Sequence, residues 1–270
     1  MNHSKHLPVR IVLSTLSERA RGGIFTLDDA ITALGRPRAV TSRRLGAMVR
    51  AGWLARVRRG VYSLRPLEAP PGTEIAEEDP WLLAARTFAP CYVGGWTAAG
   101  HWGLTEQLFK STLIVTRRRL RRVNVTLGSS RFHVVRESRA RPEGLTPVWR
   151  GNAQALVSSV ERTLLDGCAY PLWLGGGRQL VEAFRTASHD DLIRELPLAE
   201  AAAGVDSGAA LGRLGLLLEH YWPAATNVIA FALKHRGTSV VPFAPGVARR
   251  GILNRRWGVW VNVSLPDLDA

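Results

Sequence analysis

The sequence predicts an α+β chain in two parts, and three observations carry that expectation. Residues 1–66 read as three helices followed by a β-hairpin, an acidic proline-rich stretch follows at 67–80, and residues 81–270 mix helices with short strands. That mixture shows no regular βαβ repeat, which argues against a doubly wound parallel sheet and for a mixed α/β second region. The 270 residues are enough for two compact domains. At 46% hydrophobic and 21% charged, the composition is that of a folded globular chain rather than a disordered one.

The first region has legible punctuation. Apolar residues at Leu7, Ile11, Val12 and Leu16 have helical spacing over Leu7 to Arg19, and Gly22-Gly23 stops that helix. Phe25-Thr26-Leu27 is a short extended piece, and Thr26 is placed to N-cap a helix through Leu27, Ala30, Ile31 and Leu34. Gly35-Arg36-Pro37 turns the chain into a third helix from Arg38 to Ala51, expected to bury Val40, Leu45, Met48 and Val49. Two short alternating strands from Trp53 to Leu64, joined at Arg58-Arg59-Gly60, then read as a hairpin. Three helices and a hairpin in this order are the plan of a winged helix-turn-helix.

The second region reads less clearly. Trp81 to Phe88 and Trp96 to Gly103 have helical spacing, and Leu113–Thr116, Val123–Leu127 and Phe132–Arg136 read as strands. A short helix is expected from Val157 to Leu165, and another opens at Gly175-Gly176-Gly177. Gly212 to Trp222 reads as helix, Ala225 to His235 as helix or strand, and Arg256 to Val263 as a terminal strand.

Charge is unevenly spread. The net charge is +14, and all but three of the 36 basic residues are arginine. Residues 1–66 hold 13 bases against 3 acids, residues 81–155 hold 12 against 3, and residues 156–270 are balanced. Between the basic segments, 67–80 carries five acids, no base and three prolines, which reads as a linker with little apolar surface to join the two halves.

In a winged helix the third helix enters the major groove and the hairpin tip follows the backbone or minor groove. The candidate DNA-binding residues are therefore Arg36, Arg38, Thr41, Ser42, Arg43, Arg44 and Arg50 around the third helix, with Arg56, Arg58 and Arg59 on the hairpin. An arginine fork matches guanine O6 and N7, while hydroxyls at Thr41 and Ser42 suit phosphates. Arg117, Arg118, Arg119, Arg121 and Arg122 form a possible second basic surface. The competing account of both clusters is a solvated face, or a winged helix that meets protein only.

Catalytic, metal and cofactor motifs are absent. Gly175-Gly176-Gly177 lacks the lysine of a phosphate loop, and the histidines are scattered without ligand spacing. His101 beside Trp102 reads as a packed or surface histidine. Glu161 and Asp166 flank Arg162 on one helix and read as structural, since Arg162 offers a salt-bridge partner. Cys91 and Cys168 are isolated and read as small apolar residues. No run reaches the ~20 apolar residues of a membrane span, and Met1 to Arg10 is polar, so the expected location is cytoplasmic without membrane contact.

The order of segments resembles a family. "IVLSTLSERARGGIFTLDDAITALGRPRAVTSRRLGAMVRAGWLARVRRGVYSL" is similar to the N-terminal winged helix of the AbiEi antitoxins of the AbiE (type IV) toxin–antitoxin systems, linked to phage abortive infection. "YVGGWTAAGHWGLTEQ", "VSSVERTLLDGCAYP", "GRLGLLLEHY" and "NRRWGVWVN" resemble landmarks of its second domain. The resemblance implies a non-enzymatic transcriptional autorepressor that binds double-stranded operator DNA at inverted repeats. It also implies an antitoxin that counters a nucleotidyltransferase-like toxin through the second domain, without a stable complex. The alternative from the residues is a nuclease or RNA-modifying enzyme that a winged helix delivers to nucleic acid.

Overall fold

A computed structural model describes residues 8–65, 79–137, 143–248 and 250–266. The expected linker thus falls outside the described residues except for Asp79 and Pro80. Among the described residues no helix is long and apolar enough to cross a membrane.

The first region runs α1 (Val9–Arg19), β1 (Ile24–Thr26), α2 (Leu27–Leu34), α3 (Arg38–Arg50), β2 (Leu54–Arg58) and β3 (Val61–Leu64). α1 buries Val12, Leu13 and Leu16, whereas Ile11, on the expected apolar stripe, is 49% exposed. Thr26 caps α2 reciprocally: its hydroxyl accepts from the Asp29 N–H, and the Asp29 carboxylate accepts from the Thr26 N–H. Gly35 ends α2 at φ 60°, a left-handed conformation that favours glycine. α3 buries Thr41, Leu45 and Met48, and Val40 is 48% exposed. Leu45 and Met48 are thus buried as expected, Val49 packs at the core's margin, and Thr41 takes the buried place expected of Val40. β1 pairs antiparallel with β3 and β3 with β2, so the expected hairpin is part of a three-stranded sheet. Leu16, Phe25, Leu45, Leu54 and Tyr62 meet in one core.

The second region begins with α4 (Pro80–Thr87), β4 (Cys91–Val93), α5 (Gly95–His101), β5 (Thr112–Thr116), β6 (Asn124–Leu127), β7 (Ser130–Arg136), β8 (Leu145–Arg150) and β9 (Ala153–Ser158). These strands form a mixed sheet in the order β6-β7-β5-β4-β9-β8. Two parallel pairs, β5 with β7 and β4 with β9, lie among antiparallel ones, so the sheet is mixed and not a doubly wound parallel one. The β8–β9 hairpin turns at Gly151 (φ 60°) and had no counterpart among the strands expected from the sequence. Val157 pairs with Val93 within the sheet, so the helix expected from Val157 instead starts three residues later.

A helical layer follows: α6 (Val160–Ala169), α7 (Gly177–His189), α8 (Glu195–Ala203), α9 (Gly208–Tyr221) and α10 (Thr226–His235). A small sheet of β10 (Val241–Pro242), β11 (Ile252–Asn254) and β12 (Val259–Val261) closes the chain in the order β10-β12-β11. Only Val259–Val261 of the expected terminal strand Arg256–Val263 is strand. Gly215 of α9 lies against the Trp257 indole so closely that an added Cβ would overlap the ring.

The two regions are not held apart. Ile24 and Val61 of the first region share an apolar cluster with Trp81, Leu82, Phe88 and Val157 of the second. Polar ties reinforce it: Arg86 Nη2 donates to the Arg19 carbonyl (3.1 Å), Arg86 Nη1 lies 3.4 Å from the Asp29 carboxylate, and the Gly22 N–H donates to Asn152 Oδ1 (3.1 Å). Gly22 sits at φ 58°, and a Cβ there would overlap Leu82. The expectation that little apolar surface joins the halves is therefore corrected: α4 packs on the second region's sheet and on the first region at once.

Candidate nucleic-acid interface

α3 presents an exposed stripe of Val40, Arg43, Ala47 and Arg50, spaced by three or four residues along one face. The small residues between the arginines leave the helix backbone open to close approach. Arg36 and Arg38 are exposed before and at its first turn, while Ser42 and Arg44 are half-buried. Arg38 pairs with Asp28 at 2.8 Å, but both side chains are over two-thirds exposed, so the pair is weak and open to exchange. Thr41 departs from its expected role. It is 1% exposed and its hydroxyl donates to the Arg36 carbonyl (3.2 Å), so it braces the turn before α3 instead of facing a phosphate.

On the hairpin, Arg59 is exposed at the tip beside Gly60, whose φ of 81° makes the tight turn. Arg56 is exposed, with its guanidinium 5.8 Å from the Tyr62 ring centroid. Arg58 is half-buried, and its Nη2 donates to the Thr87 carbonyl at the end of α4 (3.1 Å). The expected free phosphate ligand is thus tied to the second region.

Arg117, Arg118, Arg119, Arg121 and Arg122 are all exposed in the loop between β5 and β6. Its base is pinned, because the Thr116 hydroxyl bonds the Phe88 and Pro90 carbonyls (2.8 and 2.9 Å) and accepts from the Arg118 N–H. Arg118 Nη1 also donates to the Thr87 carbonyl, at 3.2 Å. Two arginines from separate expected clusters therefore meet on one carbonyl.

The cluster around Arg162 is of another kind. Arg162 is 2% exposed, with Nε 2.8 Å from Asp166, and Nη2 2.9 Å from Glu137 and 3.2 Å from the Tyr92 hydroxyl. That hydroxyl donates to Asp166 at 3.0 Å. Burial disfavours the Arg162 charge, but Asp166, Tyr92 and Glu137 outweigh it and raise its pKa. Burial first, and then Asp166, raise that of Tyr92. Glu161 points elsewhere, to Ser159 and Arg194, so it and Asp166 are not one site. The group cross-links α6 to β4 and to the end of β7. Tyr92 and Glu137 carried no sequence signal for it.

Among the described residues no three His, Cys, Asp or Glu side chains gather as a metal site. His101 packs against Trp81 and Trp102. Cys168 is buried and Cys91 half-buried; burial pushes the Cys91 thiol up to about 12 and that of Cys168 higher still, so neither is a reactive thiolate near neutrality.

No curated protein matches the chain in sequence. In fold the chain is similar to the crystal structure of the RV2827C protein from Mycobacterium tuberculosis, with 21% identity, a TM-score of 0.60, and coverage of 93% of this chain and 89% of that one. Residues 15–65, from within α1 to the end of β3, match the family described as "Transcriptional regulator, AbiEi antitoxin".

Proposed function

We propose that the chain is a DNA-binding transcriptional autorepressor and the antitoxin of a type IV toxin–antitoxin pair. In this reading residues 1–66 are a winged helix whose α3 enters the major groove of an inverted-repeat operator. Arg43 reaches base edges, Arg36, Arg38, Ser42, Arg44 and Arg50 serve the flanking phosphates, and Arg56 and Arg59 carry the wing. Residues 81–270 counter a nucleotidyltransferase-like toxin without forming a stable complex with it.

The observation that supports this reading most is the exposed Val40-Arg43-Ala47-Arg50 stripe beside a basic hairpin tip, within the segment that matches the regulator family. Small residues between forked cations suit a helix that must lie deep in a groove. The test is titration of the whole chain with duplex DNA from upstream of its own operon, followed by fluorescence anisotropy over a range of salt. Neutralising about four phosphates gives a slope of log K on log salt near −4. A nearly flat slope would sink the proposal. Antitoxicity is read separately, as restored growth of cells expressing the neighbouring toxin gene.

A further inference from the structure

The α3 sequence, RAVTSRRLGAMVR, contains no Asn, Gln, Asp or Glu. Those are the side chains that pair bidentately with adenine or accept from the cytosine amino group. Burial then divides the residues that remain. Thr41, Leu45 and Met48 face the core, Ser42 and Arg44 are half-buried, and Ala39, Val40, Arg43, Ala47 and Arg50 are exposed. Between Ala39 and Ala47, Arg43 is therefore the one exposed side chain that can form a hydrogen bond. Around it stand methyl groups: Ala39 four residues before, Val40 three before and Ala47 four after, spacings that share one helix face. Val40 is 48% exposed and lies outside the first region's core. Its β-branched side chain does not favour the helix either. A lone exposed valine is ordinary on a protein surface, but this one flanks the only forked donor of that face.

We infer that α3 reads only two kinds of base: Arg43 takes a guanine, and Val40 takes the 5-methyl group of a thymine on an adjoining base pair. This rests on the DNA-binding reading above and names the bases that reading would recognise. Thymine is the one base that offers a methyl group to the major groove, and an apolar side chain gains by covering it. The spacing fits, since three residues of helix rise about 4.5 Å and successive base pairs lie about 3.4 Å apart. Reach fits as well. The N-terminal residues of a recognition helix lie nearest the base edges. The short Val40 is placed there, and the longer Arg43 extends from almost one turn further along. Adenine enters this code only as the partner of a thymine, whose methyl still marks which strand carries it.

The test uses the full chain and the duplex from upstream of its own operon, with each thymine replaced in turn by deoxyuridine. That exchange removes the methyl group and keeps every hydrogen bond of the base pair. One thymine in each half of the inverted repeat, beside a guanine, is expected to lose about three- to fivefold in affinity, the worth of one buried carbon. Val40→Ala should weaken binding to the thymine duplex by a similar factor and should be indifferent to deoxyuridine at that position, so the two losses do not add. An unchanged melting temperature verifies that this exposed substitution leaves the fold intact. Deoxyuridine without effect at every position, while Arg43→Ala still loses operator affinity, would overturn this inference and leave the DNA-binding reading standing. An undiminished deoxyuridine loss in Val40→Ala would overturn it too, as would a sensitive thymine with no guanine on an adjoining pair. Absence of duplex binding by the wild-type chain would overturn the reading beneath it.

Discussion

Arg43 on α3 and Arg162 on α6 carry the same guanidinium on the same kind of element, yet their surroundings are opposite. Arg43 is exposed on a face of small residues. Arg162 is enclosed by Asp166, Glu137 and Tyr92. Arg213 is a third case, 4% exposed with its donors on the Cys168 and Pro242 carbonyls. A count of basic residues treats the three alike. What separates an interface cation from a structural one is whether the fold already supplies its acceptors.

The sharpest way to break this comparison is to delete the enclosed cation. Arg162→Met leaves Asp166 and Glu137 buried without a countercharge and should cost about 3–5 kcal/mol in urea unfolding. Neutralising the two acids in the same chain, with Asp166→Asn and Glu137→Gln, should recover part of that loss. Wild-type stability in the single variant would mean that the cluster is not an internal tie. Gly215→Ala tests packing without charge, since the Trp257 ring must move; a loss of about 1–3 kcal/mol is expected, with DNA affinity per folded molecule unchanged.

Arg43→Ala should do the reverse. It should lower operator affinity by about 1–3 kcal/mol and relax preference at one base position. Its stability should stay within about 0.5 kcal/mol of wild type. Arg59→Ala should instead weaken all duplexes equally, and identical behaviour of the two variants would misplace the recognition helix. Thr26→Ala, which removes the cap of α2, should cost about 1 kcal/mol of stability.

At neutral pH the smallest effect is the ionisation of Tyr92. Its raised pKa leaves the hydroxyl protonated in folded and unfolded chains alike below about pH 10. Above that the unfolded chain ionises first, so stability falls as pH rises. Tyr92→Phe should flatten this alkaline loss, measured as the dependence of the urea midpoint on pH. An unchanged slope would place the titrating group elsewhere.

The first region was legible because its boundaries are written in local chemistry: the Thr26 cap, Gly35, Pro37 and the Arg59-Gly60 turn. The first turn of α3 was not, because Val40 is more apolar than Thr41 but it is Thr41 that lines up with the buried Leu45 and Met48. In the second region Pro147 and the outward-facing Trp149 and Leu156 obscure the β8–β9 alternation, and Pro197 disguises the first turn of α8. The exposed arginines of the candidate interface were readable as a list. Their arrangement was not, since nothing near Arg58 in the chain indicates that the carbonyl of Thr87 will receive it.

The seam formed by Ile24 and Val61 against Trp81 and Leu82 bears on how this chain can be rearranged. A fusion that takes only residues 1–65 carries one side of an apolar joint into a new host and leaves its mate behind. Both products then display a sticky surface that the parent never shows. A cut after Phe88 keeps the anchor of Arg58 but opens the same cluster on its other side, where Trp81, Leu82 and Phe88 meet Ile114, Phe132 and Val157. Exchange of second regions within such chains is therefore disfavoured on either side of α4, because one apolar cluster runs through it.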